Sequence, residues 1–577
     1  MANSGREVVC ALKCFNILIG GEAGQGLVSV TNMLIRAITK EGWYLFAQQD
    51  YMSRIRGGHN FTRLRIADEP VFCCERGVDL LVALDKHTIG QHRSELNEGG
   101  VVIADGQSDE EEGLDFIGIN FAEVANEQGQ PSIMANTVAA GAVWAFLADN
   151  LDAVETVLAE TFGSKGDAVV EGNLKCARAG FSLARAGRTL EHPPKPEDRP
   201  PVMILKGNDA LPAGALAAGL KFMSAYPMTP STGVTEFIAM NSERLDVVME
   251  QAEDEISAIN MAIGAAYAGA RAMTATSGGG FALMTEALGL AGSAEIPVVV
   301  INAQRSGPST GLPTRTEQGD LLFAVYGGSG DYPKAVLTPG DVEEAFYLMG
   351  TAFNLAERFQ TPVIVLSDQH LADSYQTVKP LDPGRITIDR GELITDAGPE
   401  YKRYQFTESG VSPRLLPGFG SGGLVVSAGD EHDEEGHLIE DADTRIKMMD
   451  KRMKKLEGLQ AEALDPVTYG DDDPEYILIG FGSTKGVIRE TVDILREKGI
   501  RALQVHLPQV FPLPDKLREV WNLPGKKFVV ENNYVGQLQK LIGMELAAAP
   551  DGHVRKYDGR PFAPQDIVER ILGGEGR

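Results

Sequence analysis

The chain is poor in cysteine, in cationic side chains and in long apolar runs, and each shortage excludes a class of function. It has five cysteines in 577 residues, Cys10, Cys14, Cys73, Cys74 and Cys176. Their number is odd and their spacing matches neither a zinc ribbon nor a ferredoxin-like cluster, so buried thiols are expected and a metal site is not. Lys and Arg together number 53 against 81 Asp and Glu, a formal net charge of -28. Phosphate backbones call for a concentrated basic face, so a nucleic-acid partner is disfavoured. No run approaches the length of a membrane span, and the opening MANSGREVVC has no signal-peptide core. A soluble cytoplasmic protein without a membrane partner is therefore expected.

What is present suits two to four globular domains. CFNILIG (14–20) reads as a strand. It leads through the glycine loop Gly20–Gly26 into the helical pattern LVSVTNMLIRAITK, a βα unit. LLVALD and GVVIAD add strand candidates, and an alanine-rich helix is expected at 136–147. This first α/β domain spans 1–190. Residues 191–201, EHPPKPEDRPP, read as an extended linker. A second domain is expected over 202–388. A charged insertion or lid follows at 389–473, and a third α/β unit over 474–577 contains YILIGFGS, RALQVHL and KKFVVEN.

In the second domain, KFMSAY, DVVME, RAMTATS, IPVVVIN and TPVIVLSD have the pattern of a mostly parallel sheet. Thr229, Glu255, Ser277 with Gly278–Gly280, Arg305 and Asp368 follow these runs in that order. Open α/β sheets bind ligands at the carboxyl ends of their strands, so five loops are expected to converge on one crevice. Glu255 opens a helix, where the helix dipole also favours an acid with no further role. Arg305 has the guanidinium fork that suits a carboxylate. Thr229 lies between Pro227 and Pro230, which restrict its backbone. The loop SGPSTGLPTRTEQGD offers hydroxyl and backbone donors for a small anion, or simply tight turns.

Three stretches carry a family resemblance: YPMTPST, QAEDEISAINMAIGAAYAGARAMTATSGGG and NAQRSGPSTGLPT. Together they resemble the α subunit of 2-oxoacid:ferredoxin oxidoreductases. GGEAGQG with YMSRIRGGHN resembles that family's γ subunit, fused here ahead of α. The resemblance implies a γ-type α/β domain, a thiamine-diphosphate pyrimidine-binding domain and a transketolase C-terminal-like domain. It also implies oxidative decarboxylation of a 2-oxoacid with coenzyme A, the electrons passing through an iron-sulfur cluster to ferredoxin. The 2-oxoglutarate branch looks most similar, with broad-specificity or pyruvate-type activity as the near alternative. A non-catalytic scaffold of the same fold is the alternative of another class.

On this resemblance Glu255 meets the aminopyrimidine, with Pro227 and Tyr226 beside it. Thr229, Ser231 and Arg305 meet the substrate, and Thr314 lies near its variable end. Arg315 is a candidate for a distal carboxylate, or a solvent-facing arginine. Residues for Mg2+, the diphosphate and the 4Fe-4S cluster are missing here and are implied in a β subunit, in a dimer of αβ heterodimers. The glycine loop fits neither G-x-G-x-x-G nor a P-loop. Gly24, Gly26 and Arg56 are candidates for a coenzyme A contact, with a packing turn as the other reading. The acidic run 430–437 is expected to be a solvated loop, or part of a lid over the coenzyme A entrance.

Overall fold

The computed structural model of the chain describes residues 14–52, 58–107, 113–186, 195–196 and 201–573. These fold as two compact units, one comprising residues up to 205 with 374–380, the other 206–373 with 381 onward. Arg56 and Cys10 lie outside the described residues, as does most of the expected linker.

The first unit holds an eight-stranded sheet. At its centre Phe15–Glu22 runs parallel to Val78–Ala83 and antiparallel to His59–Ala67. Leu96–Asp105 and Asp115–Ile119 extend the parallel side. The antiparallel side was not expected: Tyr44–Asp50 pairs with His59–Ala67, and Tyr375–Val378 pairs with Tyr44–Asp50. Helix Leu27–Glu41 buries Leu27, Val30, Leu34 and Ile38 at helical spacing and ends at Gly42, whose φ of 112° few other residues adopt. The alanine-rich helix spans Ala135–Trp144. It meets helix Asp167–Arg185 at backbone distance, since a Cβ on Gly141 would stand 2.1 Å from the Ala177 carbonyl oxygen. Cys73, Cys74 and Cys176 are buried free thiols, as expected.

In the second unit a seven-stranded sheet contains all five anticipated strands, in the spatial order Pro362–Asp368, Val298–Gln304, Ala272–Thr276, Phe222–Ala225, Val248–Gln251. Every neighbouring pair among them is parallel. Val298–Gln304 and Pro362–Asp368 are buried along their whole length, which is why they read as unbroken apolar runs. Ala335–Leu337 and Gln509–Phe511 add the far edge, the latter antiparallel. A five-stranded sheet built on Tyr476–Phe481, Ala502–Leu507 and Lys526–Glu531 shares one hydrophobic core with it: Val300 and Ile364 cluster with Ile479, Val505 and Val529. Segments 202–388 and 474–577 are therefore largely one body. The exceptions are Met203–Lys206 and Tyr375–Val378, strands of the first unit's sheet.

The segment 389–473, expected to be an insertion or lid, is bolted down. Its helix Ala442–Ala461 places the ammonium groups of Lys451 and Lys455 on the Glu295 carboxylate at 2.6 and 2.5 Å. Arg403 donates to the Glu295 carbonyl at 2.7 Å and to Gln360 Oε1 at 2.9 Å. Glu357 gathers Arg271, Arg390 and Arg414. Glu295, Gln360 and Arg271 all precede strands, so this clamp grips the amino-terminal edge of the sheet. Ligands bind at the opposite edge. The acidic run is folded as well: Glu431 pairs with Arg445 and Arg452, and buried His432 packs against Tyr404 with ring centroids 4.0 Å apart and planes tilted by 44°. The lid expectation is corrected accordingly. Charged residues that look solvated in sequence are here the partners of a buried carboxylate.

Candidate active site

Four of the five anticipated loops supply the crevice at the carboxyl edge. Helix Glu255–Tyr267 is capped by Asp254, whose side chain accepts from the Ser257 amide at 2.7 Å, and this places Glu255 in the first turn. Glu255 is 4 % exposed, and its Oε1 is buried without a hydrogen-bond partner. Such an orphan acceptor costs stability unless a ligand meets it. Room beside it comes from helix Gly278–Ser293, which begins with three glycines. A Cβ on Gly280 would lie 2.1 Å from Thr276 Oγ1 and 2.7 Å from Glu255 Oε1. The hydroxyl of Ser277, just ahead of these glycines, is likewise buried and unpartnered.

Arg305 closes the crevice from the end of Val298–Gln304. Its Nη1 donates to the Thr229 carbonyl at 2.7 Å, so two residues nominated separately are joined directly. Its Nε is buried without a partner. Burial pulls the guanidinium below its usual pKa, and the charges of Asp320 and Glu255 oppose that pull. The loop that follows is held as a closed finger: Ser306 N donates to the Arg315 carbonyl at 3.0 Å and Leu312 N to the Ser306 carbonyl at 2.9 Å. Gly311 is required at the turn, because its φ is 52° and a Cβ would stand 1.9 Å from the Ser306 oxygen. Thr314 and Arg315 are buried at the base of the finger, so Arg315 is not solvent-facing.

The Tyr226–Ser231 turn forms another wall. Tyr226 and Pro227 are exposed and Thr229 is half-buried. Ser231 is fully buried, and its hydroxyl donates to the Met228 carbonyl at 2.8 Å. Its hydroxyl therefore holds the turn rather than facing the crevice. Asp368 also departs from expectation: it accepts from the Leu371 amide at 3.0 Å and the Ser483 amide at 3.4 Å, pinning the strand end to the Gly482–Lys485 turn. Sequence reasoning passed over Asp320, which approaches the same glycine turn from another side. It sat inconspicuously in a polar loop.

In the first unit, Gly24 and Gly26 take φ of 92° and 85° in the loop leading into helix Leu27–Glu41. Gly24 is open, whereas a Cβ on Gly26 would overlap Asn136. Nearby, the His59 and His92 rings meet Nε2 to Nε2 at 2.8 Å, and His92 Nδ1 lies 2.7 Å from Glu95. No group of three or more His, Cys, Asp or Glu side chains arranged to hold a metal ion occurs among the described residues. No helix among them is long and apolar enough to cross a membrane.

An edge with one orphaned glutamate, an arginine and a glycine-opened helix start is what a thiamine-dependent 2-oxoacid enzyme would need. Residues 213–451 match the thiamine-diphosphate-binding domain of pyruvate flavodoxin/ferredoxin oxidoreductases, and residues 16–183 match the pyruvate ferredoxin/flavodoxin oxidoreductase domain. The α subunit of 2-oxoacid:ferredoxin oxidoreductase 2 of Aeropyrum pernix is 33 % identical, over 96 % of this chain and 97 % of its own length. The 2-oxoglutarate synthase subunit KorA of Methanocaldococcus jannaschii is 34 % identical over 64 % of this chain and 100 % of its own. Among solved structures, the 2-oxoglutarate:ferredoxin oxidoreductase of Magnetococcus marinus, determined with 2-oxoglutarate, coenzyme A and succinyl-CoA bound, superposes with a TM-score of 0.90. It is 33 % identical and the match covers 97 % of this chain and 99 % of that one. The chain belongs to the 2-oxoacid:ferredoxin oxidoreductases. Within that family it is an α subunit with a γ-like domain fused ahead of the thiamine-binding one, part of an oxidoreductase that needs a partner subunit.

Proposed function

We propose that this chain, with a β subunit, carries out the reversible oxidative decarboxylation of 2-oxoglutarate with coenzyme A to succinyl-CoA and CO2, passing the electrons to ferredoxin. The observation that carries the chemistry is the buried, unpartnered Glu255 Oε1 at the edge that also presents Arg305. Support for 2-oxoglutarate comes from the names of the KorA relative and of the Magnetococcus marinus enzyme. The broader 2-oxoacid name of the Aeropyrum pernix relative keeps a broad or pyruvate-type specificity as the second reading.

When bound, thiamine diphosphate supplies the nucleophilic carbon and the electron sink that decarboxylation of a 2-oxoacid requires. Glu255 holds or accepts a proton at Oε1 against the aminopyrimidine, with Pro227 and Tyr226 as the adjoining wall. Arg305 clamps the substrate carboxylate with help from Thr229, and Thr314 stands toward the variable end. Low water access around Glu255 strengthens each of these interactions. Gly24 and Gly26 offer backbone amides to coenzyme A, together with Arg56. A β subunit supplies the diphosphate and Mg2+ site and the 4Fe-4S cluster. Ile256 and Met261 on the glutamate's helix and Leu283 on the glycine-led helix are exposed apolar side chains that it would cover. The assembly is a dimer of αβ heterodimers in the cytoplasm.

The test is purification with the β subunit, thiamine and iron analysis, and ferredoxin reduction with 2-oxoglutarate, pyruvate and branched 2-oxoacids. A preference for pyruvate would overturn the substrate assignment. Glu255→Gln should lower kcat by roughly 10^2- to 10^4-fold, the usual reach of a positioned acid-base group. Full activity in that variant would remove the proton role.

A further inference from the structure

The turn at 226–231 contains Pro227 and Pro230, whose nitrogens donate no hydrogen bond, and side chains grip it through successive carbonyls. Ser231 Oγ donates to Met228 O at 2.8 Å, Arg305 Nη1 to Thr229 O at 2.7 Å and Asn208 Nδ2 to Pro230 O at 2.9 Å. The first of these bonds is internal to the turn, and the second belongs to the arginine itself. Thr276 Oγ1 also reaches Met228 Sδ, at 3.8 Å. Apart from Arg305, Asn208 is the shortest polar tie from the turn to another element among the described residues.

Asn208 lies in the first turn of helix Gly207–Ala217 and is 2 % exposed. The helix start is fixed against the 369–373 stretch, since a Cβ on Gly207 would stand 2.4 Å from the Leu371 carbonyl oxygen. Helix Thr232–Leu245 closes over the amide: a Cβ on Gly233 would lie 2.8 Å from Asn208 Nδ2 and 3.0 Å from its Cγ. Nδ2 has one further neighbour, Asp373 Oδ1 at 3.5 Å, and Asn208 Oδ1 is buried without a partner. An orphan acceptor costs stability, so the bond to Pro230 is what distinguishes this amide from an apolar side chain of its size.

The end of strand Val298–Gln304 is held separately, because Gln304 donates to the Ser367 carbonyl at 3.1 Å and accepts from the Asp320 amide at 3.0 Å. What the turn settles is the direction of the guanidinium. With Nη1 committed to Thr229 and Nε buried without a partner, the Nε–Nη2 edge is left for a carboxylate, and that edge can meet both oxygens at once. We propose that Asn208 is a positioning residue for substrate capture: by fixing the Pro230 carbonyl it sets the neighbouring Thr229 carbonyl, which aims this edge of Arg305 at the 2-oxoacid carboxylate. This inference rests on the reading of Arg305 as the carboxylate clamp.

The experiment uses the holoenzyme assembled with its β subunit. In Asn208→Ala, KM for 2-oxoglutarate should rise roughly fivefold, the scale of one neutral hydrogen bond, while KM for coenzyme A and the calorimetric affinity for thiamine diphosphate stay native. Binding of oxalate, an anion that cannot turn over, should weaken by the same factor. Gly233→Ala displaces the same amide from another helix and should reproduce both losses, so it carries the test if Asn208→Ala does not assemble. In an Arg305→Met background, Asn208→Ala should weaken oxalate no further. Native KM and oxalate affinity in these variants would overturn the proposal. So would an equal loss of thiamine diphosphate affinity, which marks general loosening of the turn, or an additive loss in the Arg305→Met background. Native oxalate binding in Arg305→Met alone would strike the clamp reading itself, whereas weakened binding there with native binding in Asn208→Ala would strike only the role of Asn208.

Discussion

Replacing Glu295 with glutamine tests whether the charged segment 389–473 is a fixed clamp. Glu295 is wholly buried, and so are Lys451 and Lys455 on either side of its carboxylate. Burial pulls both ammonium groups below their usual pKa, and the attraction of Glu295 opposes that pull. The carboxylate is thus what keeps the two lysines charged in the interior. Glutamine keeps the shape and removes the charge, leaving a buried ammonium unpaired. Breaking a buried pair in this way costs about 3–5 kcal/mol. For a body of this size that corresponds to a fall in Tm of roughly 4–7 °C. Thermal unfolding should show it, and adding Lys451→Met and Lys455→Met should restore most of the loss, because no buried ammonium is then left to balance. The clamp lies at the opposite edge from Glu255, so kcat and the KM for coenzyme A should be unchanged below the transition. A variant with native Tm, or one with native Tm and an altered coenzyme A KM, would refute the clamp and revive the lid.

Gly280→Ala should abolish most activity, by roughly 10^2-fold or more, because the new methyl group contests space with Glu255 Oε1 and Thr276 Oγ1. Initial-rate assays beside a thermal melt would separate this from unfolding. Gly26→Ala, which needs a φ of 85° and displaces Asn136, should destabilise the first unit by about 1–3 kcal/mol in denaturant unfolding, and shortening Asn136 should recover only the steric part. Burial alone would raise the Glu431 carboxyl, but Arg452 and Arg445 hold it down to about 2, below its unfolded value of 4.5. Its contribution is therefore complete above about pH 4.5 and lost as pH falls toward 2. Acid unfolding followed by tryptophan fluorescence should become shallower in Glu431→Gln.

The parts legible in sequence were those set by local chemistry. Val298–Gln304 and Pro362–Asp368 announced themselves because burial on both faces demands unbroken apolar runs, whereas the edge strand Val248–Gln251 is mostly exposed; Glu255, Arg305 and Thr229 stood out because each follows a strand candidate. Ala335–Leu337 and Gln509–Phe511 left no signal: each is three residues long, and their pairing joins positions far apart in the chain. Tyr375–Val378 likewise declares nothing of the sheet it joins. The charged segment misled for a related reason. A lysine reads as solvated unless its partner is known, and the partner of Lys455 lies 160 positions away. Ser231 shows the limit at atomic scale, since residue type cannot say that its hydroxyl turns back to Met228. Asp320 could be noticed only once Gly278 was seen to lie beneath it.

The excursion of Tyr375–Val378 into the first sheet bears on how such a polypeptide could be divided. The backbone passes from one unit to the other after residue 205, returns after 373 and leaves again after 380. A break in the 191–201 connector would fall within the first unit and leave all three covalent crossings on the carboxyl-terminal fragment. The carboxyl-terminal fragment would keep Met203–Lys206 and Tyr375–Val378, two strands that the amino-terminal fragment lacks. Nicked in this way, the protein should elute as one particle under native conditions and separate into two bands only after denaturation. A gene split at that point would encode two products already interlaced.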